Sequence, residues 1–288
     1  MGAEVRPFEV RGPGGNVLRG ETAGEGPVVL QAHGITAARR YVTHGSHLLE
    51  RRGFEVAMYD ARGHGESDPA PEGEAYTYET LARDMAAVAA EVGEGTSVVL
   101  AGHSMGAHKA AAFALAEPER VAGVVAIGPV SLGKPPPEET IAYWNGLADG
   151  LERGGVEGFI EVYDDGSHRP EWRDVVLRLA RTRLGLHRSL DAVAQALREV
   201  PASLPFSGVE ALEKLEVPVL IVASHDEADP GHPWSVAVEW TERIPGARMV
   251  SEEEGESPLA WQGGKLSREI AAFCEEGAVA ERLGGSHG

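Results

Sequence analysis

Along the chain, short apolar runs rich in β-branched residues alternate with stretches whose apolar positions return every three or four residues. "PFEVRG" and "NVLRGET" flank the turn-forming "GPGG", a pattern that predicts an N-terminal hairpin. "PVVLQAH", "FEVAMYD", "SVVLAG", "VAGVVAIG", "PVLIVAS" and "ARMVSEE" follow, the later ones almost wholly apolar. Strands covered by helices on both faces of a parallel sheet need that composition. Between them, Tyr78, Leu81, Met85, Val88 and Val92 keep helical spacing, as do Leu266, Ile270 and Phe273 near the end. The expected fold class is α/β: a mostly parallel central sheet with helices on both faces.

Residues 133–206 break the alternation. After "GKPPPEET" only helical patterns occur until the sheet resumes at Val217, so residues 133–206 read as a helical cap inserted over the strand ends. Residues 1–132 and 207–283 then form the core, and 284–288 a disordered tail. Tyr143, Trp144, Phe159 and Trp172 either line a pocket under the cap or pack the cap onto the sheet.

Charge narrows the range of partners. The 288 residues hold 45 Asp and Glu against 26 Lys and Arg, a formal charge of −19. That field repels nucleic acid and anionic membrane surfaces, which leaves a small molecule beneath the cap as the expected partner. The start "MGAEVRPFEV" lacks a basic segment followed by an apolar core, and the expected location is cytoplasmic. The single Cys274 excludes an internal disulfide and reads as a buried residue of the last helix. The glycines of "RGHGES" do not open a helix in the dinucleotide-binding form, and no cofactor is expected. Oligomeric state is not legible.

The chemistry concentrates in "LAGHSMGAHKAA", residues 100–111, where Gly102-x-Ser104-x-Gly106 lies between an apolar strand and an alanine-rich helix. A serine at so tight a strand-to-helix turn needs small neighbours. The turn lifts its Oγ above the sheet and leaves the next backbone N–H, that of Met105, at a helix N-terminus where it can meet a developing oxyanion. His108, one helical turn on, belongs to the buried face of that helix and reads as a satisfied core residue.

"AGHSMGA", "QAHG" at the end of an earlier strand, "YDARGHGESD" after the next, and "VPVLIVAS" after the helical insertion stand in an order that resembles the α/β-hydrolase fold family over residues 7–275. The resemblance implies Ser104 as nucleophile, the N–H of Ile35 as a second oxyanion donor after His33-Gly34, and a pocket that His33, Gly34 and His103 border. It also implies that the Asp60–Gly65 loop is structural, with Arg62 and Asp60 tying neighbouring loops together and His64 without a chemical role.

A serine hydroxyl needs a base oriented by a carboxylate. The resemblance places the acid in "VASHDEADPGHPW", where Asp226, Glu227 and Asp229 compete. Glu227 fits a Gly-x-x-acid register and Asp229 an Asp-Pro-x-x-Pro ending. Aligning the helix that ends at Phe273 puts Glu256 where the family has its histidine, and no histidine lies between His232 and His287. Three readings follow. His232, or else His225, is a relocated base; or Glu256 faces Ser104 in a pocket with altered chemistry; or the triad is degenerate and the protein binds a ligand without hydrolysing it. The His225–His232 loop offers two imidazoles and three carboxylates but lacks the helical i, i+4 spacing of a metal site, so no metal is expected. The expected function is hydrolysis of a small ester or related acyl substrate through Ser104. The alternative is a lyase-like or ligand-binding protein with a degenerate triad.

Overall fold

A computed structural model describes residues 4–225 and 229–284. The N-terminal hairpin is β1 (Val5–Arg11) and β2 (Val17–Ala23), followed by β3 (Val28–Ala32), the short α1 (Leu48–Arg51), β4 (Glu55–Tyr59), α2 (Tyr78–Gly93), β5 (Val98–His103), α3 (Met105–Ala116) and β6 (Val121–Ile127). Three helices then intervene, α4 (Glu138–Tyr163), α5 (Pro170–Leu184) and α6 (Leu190–Ala202), before β7 (Val219–Val222), α7 (Trp234–Arg243), β8 (Arg248–Val250), α8 (Gly263–Cys274) and α9 (Gly277–Gly284) close the chain.

The eight strands form one sheet in the order β1-β2-β4-β3-β5-β6-β7-β8. Only the pairings of β2 with β1 and β4 are antiparallel; the rest run parallel. Side chains of a strand point alternately to its two faces, and here both faces are apolar. Val98 and Leu100 of β5, with Val219 and Ile221 of β7, pack toward α2, α3 and α7. Val99 and Ala101, with Leu220 and Val222, pack toward α8 and α9. The ring of Phe273 lies so close over Gly123 of β6 that a Cβ there would fall 2.8 Å from it. Truncating a ring so enclosed costs about 3–5 kcal/mol.

The helices between β6 and β7 carry a small core of their own, with Leu147, Phe159, Leu177, Leu184, Val193 and Leu197 at its centre. α4 is interrupted at Gly154 and Gly155, the latter at φ +61°, which divides it into two pieces. The Asp60–Gly65 loop is held as its sequence suggests. Arg62 forms a two-pronged pair with Asp84 of α2 at 2.6 and 2.8 Å, both side chains buried, and the carboxylate of Asp60 accepts the backbone N–H groups of Arg39 and Glu66. Cys274 is buried, and burial pushes its thiol up to about 12. Among the described residues no helix is long and apolar enough to cross a membrane.

Candidate active site

Ser104 stands between the end of β5 and the start of α3 at φ +53°, ψ −112°, a backbone state that non-glycine residues rarely occupy. Its N–H donates to Ile127 O of β6 at 2.8 Å, which pins the turn. The flanking glycines are obligatory for space: a Cβ on Gly102 would lie 2.2 Å from Gly106 O, and one on Gly106 would lie 2.0 Å from Ala32 O. The elbow is thus wedged against the end of β3, and the Ala32–Ile35 segment runs directly beside it. An added Cβ at Gly34 would come 3.5 Å from Ser104 Cβ. Among the described residues neither the Ile35 nor the Met105 N–H donates to a protein acceptor, and the Ser104 hydroxyl makes no hydrogen bond.

Three histidines brace the segment that carries Ile35. His33 is buried and accepts the Ala61 N–H at Nε2, 2.9 Å, so its Nδ1–H is the donor to Gly34 O at 2.8 Å. That carbonyl belongs to the same peptide group as the Ile35 N–H, so the bond fixes the direction in which the amide points. His64 lies 2.6 Å from Ile35 O through Nε2 and 2.9 Å from Arg62 O through Nδ1. His187, between α5 and α6, accepts the Gly65 N–H at 2.8 Å and donates to Thr36 O at 3.3 Å. Burial holds His33 well below the ordinary imidazole value, lowers His64 and pushes His187 down to about 3, and the donor-and-acceptor pattern of His33 and His187 is that of neutral rings. The expectation that His33 borders the pocket is corrected: it sits beneath the loop, and Gly34 and Ile35 form the wall. His64 has a positioning contact that its sequence context did not announce.

The acid-bearing loop follows β7. Asp226 and Glu227 lie outside the described residues, whereas Asp229 opens a tight turn in which His232 N donates to Asp229 O at 3.1 Å. The turn sets His232 Nδ1 2.8 Å from Asp229 Oδ2, with the N–H pointing off the line between them. Burial alone would raise the Asp229 carboxyl, but the charge and contact of His232, with His103 and Arg183 behind it, hold it down at about 2. The His103 ring lies 4.9 Å from that of His232, and burial, aided by His232, pushes it down to about 3. His225 turns elsewhere, stacking on Trp234 at 3.9 Å. His108 is fully buried, and its Nε2 accepts the N–H groups of Val130 and Ser131 at 3.2 and 3.0 Å.

The placement of Glu256 in the pocket is overturned. Its side chain is 43% exposed and pairs with Lys265 at 2.5 Å, away from the cavity. The loop after β8 turns a different acid inward. Glu252 is 5% exposed and accepts from Ser224 Oγ at 3.1 Å, from His225 N, and from Leu259 N at 2.8 Å, clamping the end of β7 to the following loop. From that loop it is Ala260 and Trp261 that reach the cavity.

Ser104, Ile35, His103, Asp229 and His232 all border one cavity of about 420 Å³. Its far wall comes from the helices between β6 and β7, with Tyr143, Trp144, Phe159, Tyr163 and Arg183 facing in. Trp172 does not line it and packs edge-on against Trp261 at 6.0 Å. Among the described residues, His103, Asp229 and His232 also form a group with metal-ligand chemistry, their donor atoms within 4.8 Å of one another.

A family model described as the α/β hydrolase fold matches residues 27–154, which span β3 through the first half of α4. The chain has the α/β-hydrolase fold. The chain is 28% identical, over 71% of its length and 77% of the relative's, to a Bacillus subtilis protein provisionally named a 2-succinyl-6-hydroxy-2,4-cyclohexadiene-1-carboxylate synthase. It is 29% identical, over 70% and 69%, to a 2-hydroxy-6-oxononadienedioate/2-hydroxy-6-oxononatrienedioate hydrolase of Cupriavidus pinatubonensis. Several other curated relatives align over less than half of their own length. Among solved structures, an esterase from Thermogutta terrifontis superposes with TM-score 0.74 over 93% of this chain and 97% of the esterase, at 22% identity.

Proposed function

We propose that this α/β-hydrolase is a serine hydrolase of small esters or related acyl compounds, with Ser104 as nucleophile and His232 as its relocated base. The observation that carries the reading is that Ser104 and the Asp229–His232 pair border one cavity, with Asp229 Oδ2 2.8 Å from His232 Nδ1. With Nδ1 facing the carboxylate, Nε2 is the nitrogen left to take the serine proton, and Asp229 stabilises the imidazolium that results. The Ile35 and Met105 amides, free of protein acceptors among the described residues, receive the oxyanion of the tetrahedral intermediate. His232 then gives its proton to the leaving group, and a water activated by the same ring hydrolyses the acyl-enzyme. The hydroxyl and the imidazole are not hydrogen-bonded without substrate, a looseness common before the Michaelis complex forms.

The competing reading is a non-hydrolytic member that holds a carbonyl compound on the oxyanion amides; the synthase name of the Bacillus subtilis relative favours it. Labelling with a fluorophosphonate probe, read by intact mass, separates the two. Stoichiometric labelling of the wild type that vanishes in both Ser104→Ala and His232→Ala supports the hydrolase. A wild type that stays unlabelled for hours at neutral pH sinks it.

A further inference from the structure

The cavity contains a guanidinium that forms no ion pair among the described residues. Arg183 lies in the last turn of α5 and lines the same cavity as Ser104. Its Nε is buried without a hydrogen-bond partner, and among the described residues no carboxylate comes within 4.0 Å of its guanidinium. Other arginines on the helices between β6 and β7 that form no ion pair among the described residues, Arg153 and Arg178, are exposed, whereas Arg183 is half-buried and lines the cavity. Arg173, Arg181 and Arg198 on the same group of helices are all paired, with Asp164, with Glu157, and with Asp149 and Glu152. Two further donors stand nearby. Both ring nitrogens of His168, in the same cavity wall, are buried without partners, and the His168 ring lies 5.0 Å from that of Tyr163. Asp165 also borders the cavity, but its carboxylate is taken by the Ser167 N–H at 2.9 Å.

A half-buried guanidinium with an unpaired N–H is costly unless a ligand supplies the anion, and its planar fork matches a carboxylate. We infer that Arg183, with Tyr163 and His168, seats a carboxylate of the substrate, so that the preferred substrate is a half-ester or related acyl compound carrying a second, anionic carboxylate. This rests on the Ser104 reading above. The seat is near the chemistry, because the charge of Arg183 bears on Asp229 and His103. Trp144, Leu147 and Phe159 line the same cavity and can cover the hydrocarbon between the two ends of such a substrate. The overall charge of −19 opposes a free anion, so selection for one has to be local.

The test compares kcat/KM for monomethyl adipate with that for methyl hexanoate in the wild type, Arg183→Gln, Arg183→Lys and, as a control, Arg181→Gln on the exposed side of α5. Adipate binding to Ser104→Ala, with and without Arg183→Gln, is measured by calorimetry as a readout free of catalysis. The expected result is a ratio favouring the half-ester that falls at least about 10-fold in Arg183→Gln, recovers in part in Arg183→Lys, and is unchanged in Arg181→Gln, with adipate binding lost alongside it. A wild-type ratio near one, or a ratio untouched by Arg183→Gln, overturns the carboxylate seat and leaves the hydrolase reading standing. If neither ester is cleaved and Ser104 resists the fluorophosphonate, the hydrolase reading falls. Adipate binding that depends on Arg183 then still upholds the seat, and its absence removes that too.

Discussion

Asp229 Oδ2 and His232 Nδ1 lie 2.8 Å apart although the residues are only three positions apart, so the carboxylate and the imidazole travel together on one loop. A carboxyl held down at about 2 is ionised across the working range, so Asp229 does not supply the acid limb of a pH–rate profile. His103, pushed down to about 3, is neutral over the same range and does not supply that limb. Asp229→Asn is expected to lower kcat by about 10²- to 10⁴-fold while Ser104 remains labelled slowly. Stopped-flow ester hydrolysis from pH 4 to 9 checks both statements; an acid limb that disappears in Asp229→Asn, or an unchanged kcat, contradicts them.

Glu252 and Glu256 separate structural from incidental carboxylates. Glu252→Ala orphans the donors of Ser224, His225 and Leu259 and is expected to cost about 1–3 kcal/mol, read as a lower midpoint in urea. Glu256→Gln only removes an exposed pair with Lys265 and changes stability by less than about 0.5 kcal/mol, with labelling of Ser104 unaltered. Loss of labelling in Glu256→Gln is the outcome that restores it to the site.

Lys109 on α3 is fully buried, its Nζ without a partner 4.6 Å above the Tyr59 ring, and burial pushes it down to about 7 against the weaker pull of Asp84 and Asp60. The folded pKa is below the unfolded one, so between pH 7 and about 10.5 the unfolded chain binds more protons and stability rises with pH. The slope from this residue approaches about 1.4 kcal/mol per pH unit. Lys109→Met is expected to abolish the rise and to be the more stable protein at pH 7, which urea titrations at pH 7, 8 and 9 measure. Parallel pH dependence of the two proteins refutes it.

His103, Asp229 and His232 are close enough to compete for a transition metal, yet the serine mechanism needs none. Dialysis against EDTA is expected to leave ester hydrolysis intact. Added Zn²⁺ is expected to inhibit by occupying His232, with activity restored by EDTA. Activity that vanishes on chelation and returns with metal assigns the chemistry to a metal centre instead.

Steric and periodic signals made the sheet and the elbow legible. Alternating apolar faces mark a strand wherever it lies, and a serine between Gly102 and Gly106 can only be so placed where backbone crowds it, as the 2.2 and 2.0 Å approaches confirm. The histidine position was not legible. Counting back from Phe273 assumed a loop of family length after β8, and nothing periodic records which way an irregular loop turns its side chains. Glu252 went inward and Glu256 outward because one could gather three backbone and hydroxyl donors and the other could not.

The chain's own pattern determined the α/β layers, the strand-to-helix turn at Ser104 and the helical stretch between β6 and β7, all of which depend on neighbours within a few residues. The family resemblance supplied the short set of candidates that holds Asp229 and His232. Tertiary structure decided which candidates meet: His232 beside Asp229 and His103, His33, His64 and His187 beneath the Ile35 loop, and Arg183 facing the cavity with no ion pair among the described residues. Those meetings join residues tens to more than a hundred positions apart, and only the packing of helices on the sheet determines which face of each is turned inward.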